Sequence, residues 1–183
     1  MRELLSRLTS IYPLSREAQQ YLIERLRSMV LLKKEHVPEP EHHVYYVTKG
    51  LLRTYYFEEK QEVCASFAKE REVIITPGLL QNDKPEFIQA IEDSVLWYIR
   101  KDELQALYRQ FPESNIVARE LYLRLYLLVE ERLRLLRTRD ATGRYLLLMK
   151  THPDLVLRVP AKLIASYLGV SDETLSRIRS RIK

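Results

Sequence analysis

The sequence predicts an α+β chain. An N-terminal antiparallel β-roll, jelly-roll-like and flanked by helices, is followed by one long helix and a C-terminal helical helix-turn-helix domain. Three observations predict it. Short β-branched and aromatic runs separated by turn residues fill residues 30–100. Residues 113–137 contain neither Gly nor Pro and carry apolar side chains at helical spacing. The last two dozen residues, PAKLIASYLGVSDETLSRIRSRIK, read as two short helices around a glycine-containing turn. The expected division is 1–111 for the roll and its helices, 112–138 for the long helix, and 139–183 for the C-terminal domain.

The entry reads as helical over 3–10 and 15–29. Leu4, Leu5 and Leu8 share one side of the first segment; Ser15 is placed to cap the second, which carries Ala18, Leu22, Leu26 and Met29 on one face. Strand runs follow at 44–48, 51–57, 63–67, 73–76, 87–91 and 95–99, a close spacing that suits an antiparallel sandwich or roll. Lys49-Gly50 between the first two reads as a tight hairpin turn.

The long helix carries two apolar stripes. Ala118, Leu121, Leu125, Leu128 and Leu135 form one. Tyr122, Tyr126, Val129, Leu133 and Leu136 form the other, at the 4, 3, 4, 3 spacing of a coiled-coil seam. A helix with two stripes needs two surfaces to bury against. The roll is expected to take the first, and the same helix of a second copy the other. Residues 140–151 then form a linking helix with Tyr145, Leu146 and Met149 apolar.

Charge is unevenly placed. The formal net charge is +5, yet residues 132–183 hold 12 Lys and Arg against 4 Asp and Glu, a net +8, while residues 1–131 are net −3. A basic C-terminal third behind a slightly acidic body suits a nucleic-acid-binding end on a non-binding module. No stretch approaches the roughly 20 apolar residues of a membrane span, and the start, MRELLSRLTSIYPL, lacks the apolar core of a secretion signal. A cytoplasmic protein with no membrane partner is expected. The single cysteine, Cys64, forms no intramolecular disulfide and suits a reducing compartment. Adjacent His42 and His43 would face opposite sides of a strand, and Cys64 with a histidine lacks the paired spacing of a metal site. No metal or cofactor is therefore expected. Nucleophile motifs, glycine-rich phosphate loops and metal-hydrolase signatures are missing from the sequence, which argues against an enzyme.

In the C-terminal segment Pro160 suits the opening of a helix, Leu163, Ile164 and Leu168 form its apolar side, and Gly169 sits where a left-handed C-cap is wanted. Ser171 can cap the second helix, with Asp172 and Glu173 at the positive end of its dipole. Leu175, Ile178 and Ile182 fall on one side; Glu173, Arg177 and Ser180, flanked by Ser176 and Arg181, fall on the other. An Arg can fork onto guanine O6 and N7, a Glu can accept from cytosine N4, and Ser can bond several base edges. Candidate base readers are thus Glu173, Ser176 and Arg177. Arg179, Arg181 and Lys162 are candidates for phosphate contact, and Ser171 and Thr174 for capping or backbone contact.

The phrase IASYLGVSDETLSRIRSRI resembles the helix-turn-helix of the Crp/Fnr transcription regulators. Its Glu173, Thr174, Ser176 and Arg177 match the E-T-x-S-R pattern whose Glu, Ser and Arg contact bases in that family. Asp172 stands where some members carry Arg, so their target sequence does not carry over. VYYVTKGLLRTYY resembles the roll hairpin of cyclic-nucleotide-binding-type domains, and FIQAIEDSVLWYIRKDELQAL the end of that roll and the helix after it. The resemblance implies a homodimer joined through the long helix, double-stranded DNA with a near-palindromic site as partner, RNA polymerase as a further candidate partner, and an effector-sensing roll of unknown effector. One cysteine removes the cysteine-ligated iron–sulfur cluster of some members.

Two departures qualify the resemblance. The family follows its recognition helix with a β-hairpin wing, whereas this sequence stops at Lys183, which leads to the expectation of a reader without a wing. That departure keeps a second reading open, a small-molecule-sensing scaffold whose C-terminal helices dock a protein. The family's phosphate cassette pairs Gly-Glu with a later Arg-Ser/Thr-Ala. The equivalent stretch, FAKEREVIITPGLLQNDKPEFIQAIEDS, has Gly78 followed by Leu79 and no Arg before Ala90. Without the Arg that neutralises the phosphate, cyclic AMP is expected not to bind at micromolar or tighter affinity. Isothermal titration calorimetry of the purified protein checks this.

Overall fold

The computed structural model describes residues 1–38, 43–75, 86–138 and 140–182. Helices α1 (Arg2–Ile11) and α2 (Arg16–Arg25) lead into strands β1 (Arg27–Leu31), β2 (His43–Lys49), β3 (Leu52–Glu58), β4 (Gln61–Ala68), β5 (Val73–Ile75), β6 (Phe87–Ala90) and β7 (Ser94–Arg100). Helices α3 (Lys101–Gln110), α4 (Glu113–Arg137), α5 (Ala141–Thr151), α6 (Pro153–Arg158), α7 (Ala161–Leu168) and α8 (Asp172–Ile182) follow. This is the expected α+β class. Of the positions singled out in the sequence, His42, Thr76, Gly78, Leu79 and Lys183 lie outside the described residues.

The chain forms two compact units, Met1–Thr54 with Phe67–Leu125, and Tyr55–Ser66 with Tyr126–Lys183. In the first, strands form a four-stranded sheet of order β1-β7-β2-β5; β3 lies between β4 and β6 in a second sheet. The four-stranded ladder is antiparallel, with Arg27 opposite Tyr98, Tyr46 opposite Trp97 and Val73, and Val44 opposite Ile99 and Ile75. Alternation of side chains then sorts the two faces. Tyr45, Val47 and Leu96 join Leu31, Leu52, Ile74 and Ile88 in the core of the roll. Val44 and Ile99 turn the other way, onto Leu14, Ala18, Leu22, Leu107 and Val117 of the helices. A sheet buried on both faces needs apolar side chains at every position, which is why VYYV and VLWYI show no polar alternation.

Polar contacts fix the helices to this sheet. Arg27 donates from both terminal nitrogens to the two carboxylate oxygens of Glu103, each at 2.9 Å, tying the start of β1 to α3. Glu103 also accepts from the Arg100 backbone N–H at 3.2 Å. The Arg27 guanidinium holds its carboxyl below the usual range, so the stability it confers is lost on acidification through the carboxylate range. Ser15 Oγ caps α2 through the Ala18 N–H at 3.2 Å and donates to Glu113 Oε1 at 2.6 Å, joining the starts of α2 and α4.

Two sequence expectations need correction. Residues 27–29 do not extend the second helix. Its cap residue Leu26 is extended, and the chain enters β1, where pairing with β7 outweighs helical periodicity and Met29 packs on the roll core. Lys49-Gly50 is not a hairpin turn: β2 and β3 lie in different sheets, so it is a corner between them. Gly50 has φ +96° there, and an added Cβ would clash with Ser94 Oγ and sit 2.8 Å from the Asp93 backbone carbonyl oxygen, so the close approach demands glycine. A short helix, α6, which the sequence reading did not place, occupies part of the stretch between the linking helix and the helix-turn-helix; its opening Pro153 stands in the first turn, where a missing N–H costs nothing.

The tight hairpin is instead β3–β4. Its two loop residues, Glu59 and Lys60, have φ +47° and +69°, the twist of a type I′ turn. Each non-glycine residue in this region costs about 1 kcal/mol or somewhat more. Lys60→Gly is therefore expected to raise thermal stability by about 1 kcal/mol, measured by calorimetric unfolding; Gly50→Ala should lower it.

Candidate nucleic-acid interface

The second unit is built around α5, which packs against α6, α7 and α8. Its buried side chains include Tyr145, Leu148, Leu155, Ile164, Leu168, Leu175 and Ile178. Asp140 caps α5 by accepting from the Gly143 N–H at 2.7 Å. Pro160 is the cap residue of α7 and Ala161 its first helical residue, one position later than the sequence suggested.

The turn between α7 and α8 follows from one backbone conformation. Gly169 adopts φ 64°, ψ 42°, the left-handed region. Its N–H reaches Ser166 O at 3.1 Å and the Val170 N–H reaches Ala165 O at 3.0 Å, the two bonds of a Schellman motif. Both satisfy carbonyls that the end of α7 would leave open. Ser171 Oγ then accepts from the Thr174 N–H at 3.2 Å and caps α8.

Burial divides α8 cleanly. Leu175 and Ile178 are buried, whereas Glu173, Ser176, Arg177, Arg179, Ser180 and Arg181 are exposed. Lys162 on α7 and Ser171 are exposed as well, and Thr174 is half-buried. Thr174 Oγ1 sits between Ser171 Oγ at 3.1 Å and Arg177 Nη2 at 3.2 Å, so it restrains the guanidinium on the helix surface. The Glu173 backbone N–H, then Ser171 and Arg177, hold the Glu173 carboxyl below the usual range, keeping it a pure acceptor at neutral pH. Ser180 Oγ is turned back onto Arg177 O at 2.9 Å. The set is acidic at the start of the helix and basic at its end.

On α4 the stripes separate at every position but Leu128. Ala118 and Leu135 are buried and Leu121 and Leu125 half-buried, but Leu128 is exposed. The seam of Tyr122, Tyr126, Val129, Leu133 and Leu136 is 39–57% exposed throughout. Leu123 and Leu127, exposed by 50% and 56%, broaden it; the strict 4, 3 spacing passed over them.

The second unit also contains the tip of the β3–β4 hairpin, which sequence patterns did not place. The Cys64 N–H donates to Ser166 Oγ at 2.9 Å, and Ser166 Oγ donates to Glu62 O at 3.3 Å. Cys64 is fully buried. The Arg132 guanidinium lies 3.6 Å over the Tyr167 ring, and burial lowers its pKa from the usual value. Among the described residues no three His, Cys, Asp or Glu side chains cluster as metal ligands.

Residues 31–111 match the cyclic nucleotide-binding domain family, somewhat less than half of the chain. No curated protein matches it in sequence. Solved structures match over most of its length. FixK2 from Bradyrhizobium japonicum aligns with TM-score 0.69 at 23% identity, over 86% of this chain and 84% of that one. A doubly substituted CooA from Carboxydothermus hydrogenoformans aligns with TM-score 0.69 at 22% identity, over 87% and 77%. A Eubacterium rectale protein described as a transcriptional regulator of the Crp/Fnr family aligns with TM-score 0.72 at 15% identity, over 92% and 85%. The chain thus has the fold of the Crp/Fnr regulators, and its residues 31–111 are similar to a cyclic nucleotide-binding domain.

Because an added Cβ on Gly169 meets only Leu136 Cδ2, at 4.0 Å, the need for glycine there is conformational rather than steric. Gly169→Ala should cost about 1–2 kcal/mol and Gly169→Asn less, since Asn tolerates the left-handed region. Chemical unfolding of the two variants checks the order.

Proposed function

We propose that the protein is a homodimeric, sequence-specific DNA-binding transcription regulator with no catalytic step of its own. The observation that carries this is the outward set on α8, Glu173, Ser176 and Arg177, held beyond a Schellman turn on a helix whose inner face is fully committed. The recognition helix enters the major groove. Arg177 forks onto a guanine, Glu173 accepts from a cytosine N4, and Ser176 bonds a neighbouring base edge. Arg179, Arg181 and Lys162 meet phosphates, while Ser171 and Thr174 hold the start of the helix in place. The seam of α4 pairs with its copy, setting two half-sites about 34 Å apart on a near-palindrome. The domain at residues 31–111 senses an effector that does not depend on the missing phosphate cassette. The net +8 of residues 132–183 supports the electrostatic part of the reading. RNA polymerase is a further partner in this reading, and the protein works in the cytoplasm.

Selection of genomic fragments at stated salt tests the reading. Enrichment of one near-palindrome is expected. Arg177→Ala should relax preference at one position per half-site and cost about 1–3 kcal/mol in affinity. Retention that is sequence-independent and lost with salt would favour the scaffold reading instead.

A further inference from the structure

A cavity of about 90 Å³ lies on the helix side of the four-stranded sheet. The core of the roll lies on the sheet's other face, with Tyr45, Val47 and Leu96. The walls are almost wholly apolar, with Leu8, Leu22, Ile99, Leu121 and Trp97 among them. Two polar atoms break that lining. Tyr46 Oη and Arg7 Nε are buried and have no hydrogen-bond partner, and both residues line the cavity. Tyr46 is only 6% exposed. Buried donors are nearly always matched, so two orphans at one cavity call for an acceptor.

Charge points to the kind of acceptor. Around Tyr46 stand Arg7, Glu3 and Arg71. Arg71 Nε pairs with Glu3 Oε1 at 3.2 Å, and Arg7 is left without a carboxylate partner among the described residues. The surplus is one positive charge. Size limits the rest: 90 Å³ is about three times the ~30 Å³ that one water occupies, and well under the ~150 Å³ of a cavity that admits benzene. Aromatic acids and nucleotides are too large.

We propose that this cavity is a binding site for a small aliphatic monocarboxylate of about two or three carbons. Its carboxylate accepts from Arg7 Nε and Tyr46 Oη, and its chain lies among the apolar walls. The site is separate from the face of α8 proposed to read DNA and shares one lining residue, Tyr122, with the seam proposed to pair the copies; failure of DNA reading and failure of ligand binding are seen in different measurements.

The single tryptophan, Trp97, lines the cavity and reports its filling directly. The experiment titrates the full chain with sodium propanoate at constant ionic strength, following Trp97 emission, with propanamide as the neutral isostere and benzoate as the oversized acid. A saturable propanoate response is expected, with none from propanamide or benzoate. Arg7→Met should abolish it, and Tyr46→Phe should weaken it about tenfold, the loss of one hydrogen bond to a charged group. Tyr46→Phe removes only an unpaired hydroxyl, so its free form should unfold at or above the parent's midpoint and keeps the test valid if Arg7→Met fails to fold. The proposal is overturned by the absence of a saturable propanoate response at tens of millimolar, by an equal response to propanamide, or by unchanged affinity in either variant.

Discussion

The rest of the structure depends on α4, which supplies buried apolar side chains to both compact units. It runs for 25 residues from Glu113 to Arg137. A helix this apolar is not satisfied by packing on one side. In its first half Val117 and Ala118 are buried, and Val117 joins Leu14, Leu22 and Leu107 in the helical core. In its second half Leu135 is buried in the other unit. What remains is the seam and its flanking leucines, an apolar surface of the kind that marks an interaction site when contiguous.

The two units solve the problem of local order differently. In the first, a sheet with both faces covered leaves little freedom of register, because a one-residue slip would exchange the roll core for the helical core. Its irregular points are therefore steric, as at Gly50 against Ser94. In the second, small helices meet at short connections, and order comes from caps: Asp140 on α5, Gly169 after α7, Ser171 before α8. Each such cap contributes about 1 kcal/mol, which matters in a unit with a modest core.

Much of this was legible in the sequence. The bounds of α4, the strands from 44 to 99 and the αL glycine were readable because periodicity and capping chemistry are local. The failures share a cause. Residues 27–29 carry helical spacing, but pairing to β7, nearly 70 residues away, decides their state. Lys49-Gly50 looks like a hairpin because a glycine turn is the same from nearby whether its flanking strands pair or part. The true hairpin turn, Glu59-Lys60, was missed since it lacks the Asn or Gly that ordinarily relieves positive φ. Of the candidate site, exposure on α8 could be anticipated from its inner stripe. The Thr174–Arg177 contact and the cavity beneath α1 depend on side-chain placement that one-dimensional spacing does not carry.

The partition of α8 has an evolutionary consequence. Leu175 and Ile178 serve the core, and Glu173, Ser176 and Arg177 are exposed. Exposed substitutions of this kind usually change stability by no more than about 0.5 kcal/mol. The buried and the exposed sides of α8 are thus written on different residues of the same helix. The exposed side can change at a few positions without passing through an unfolded intermediate, while the turn and the inner stripe stay under steady selection for folding.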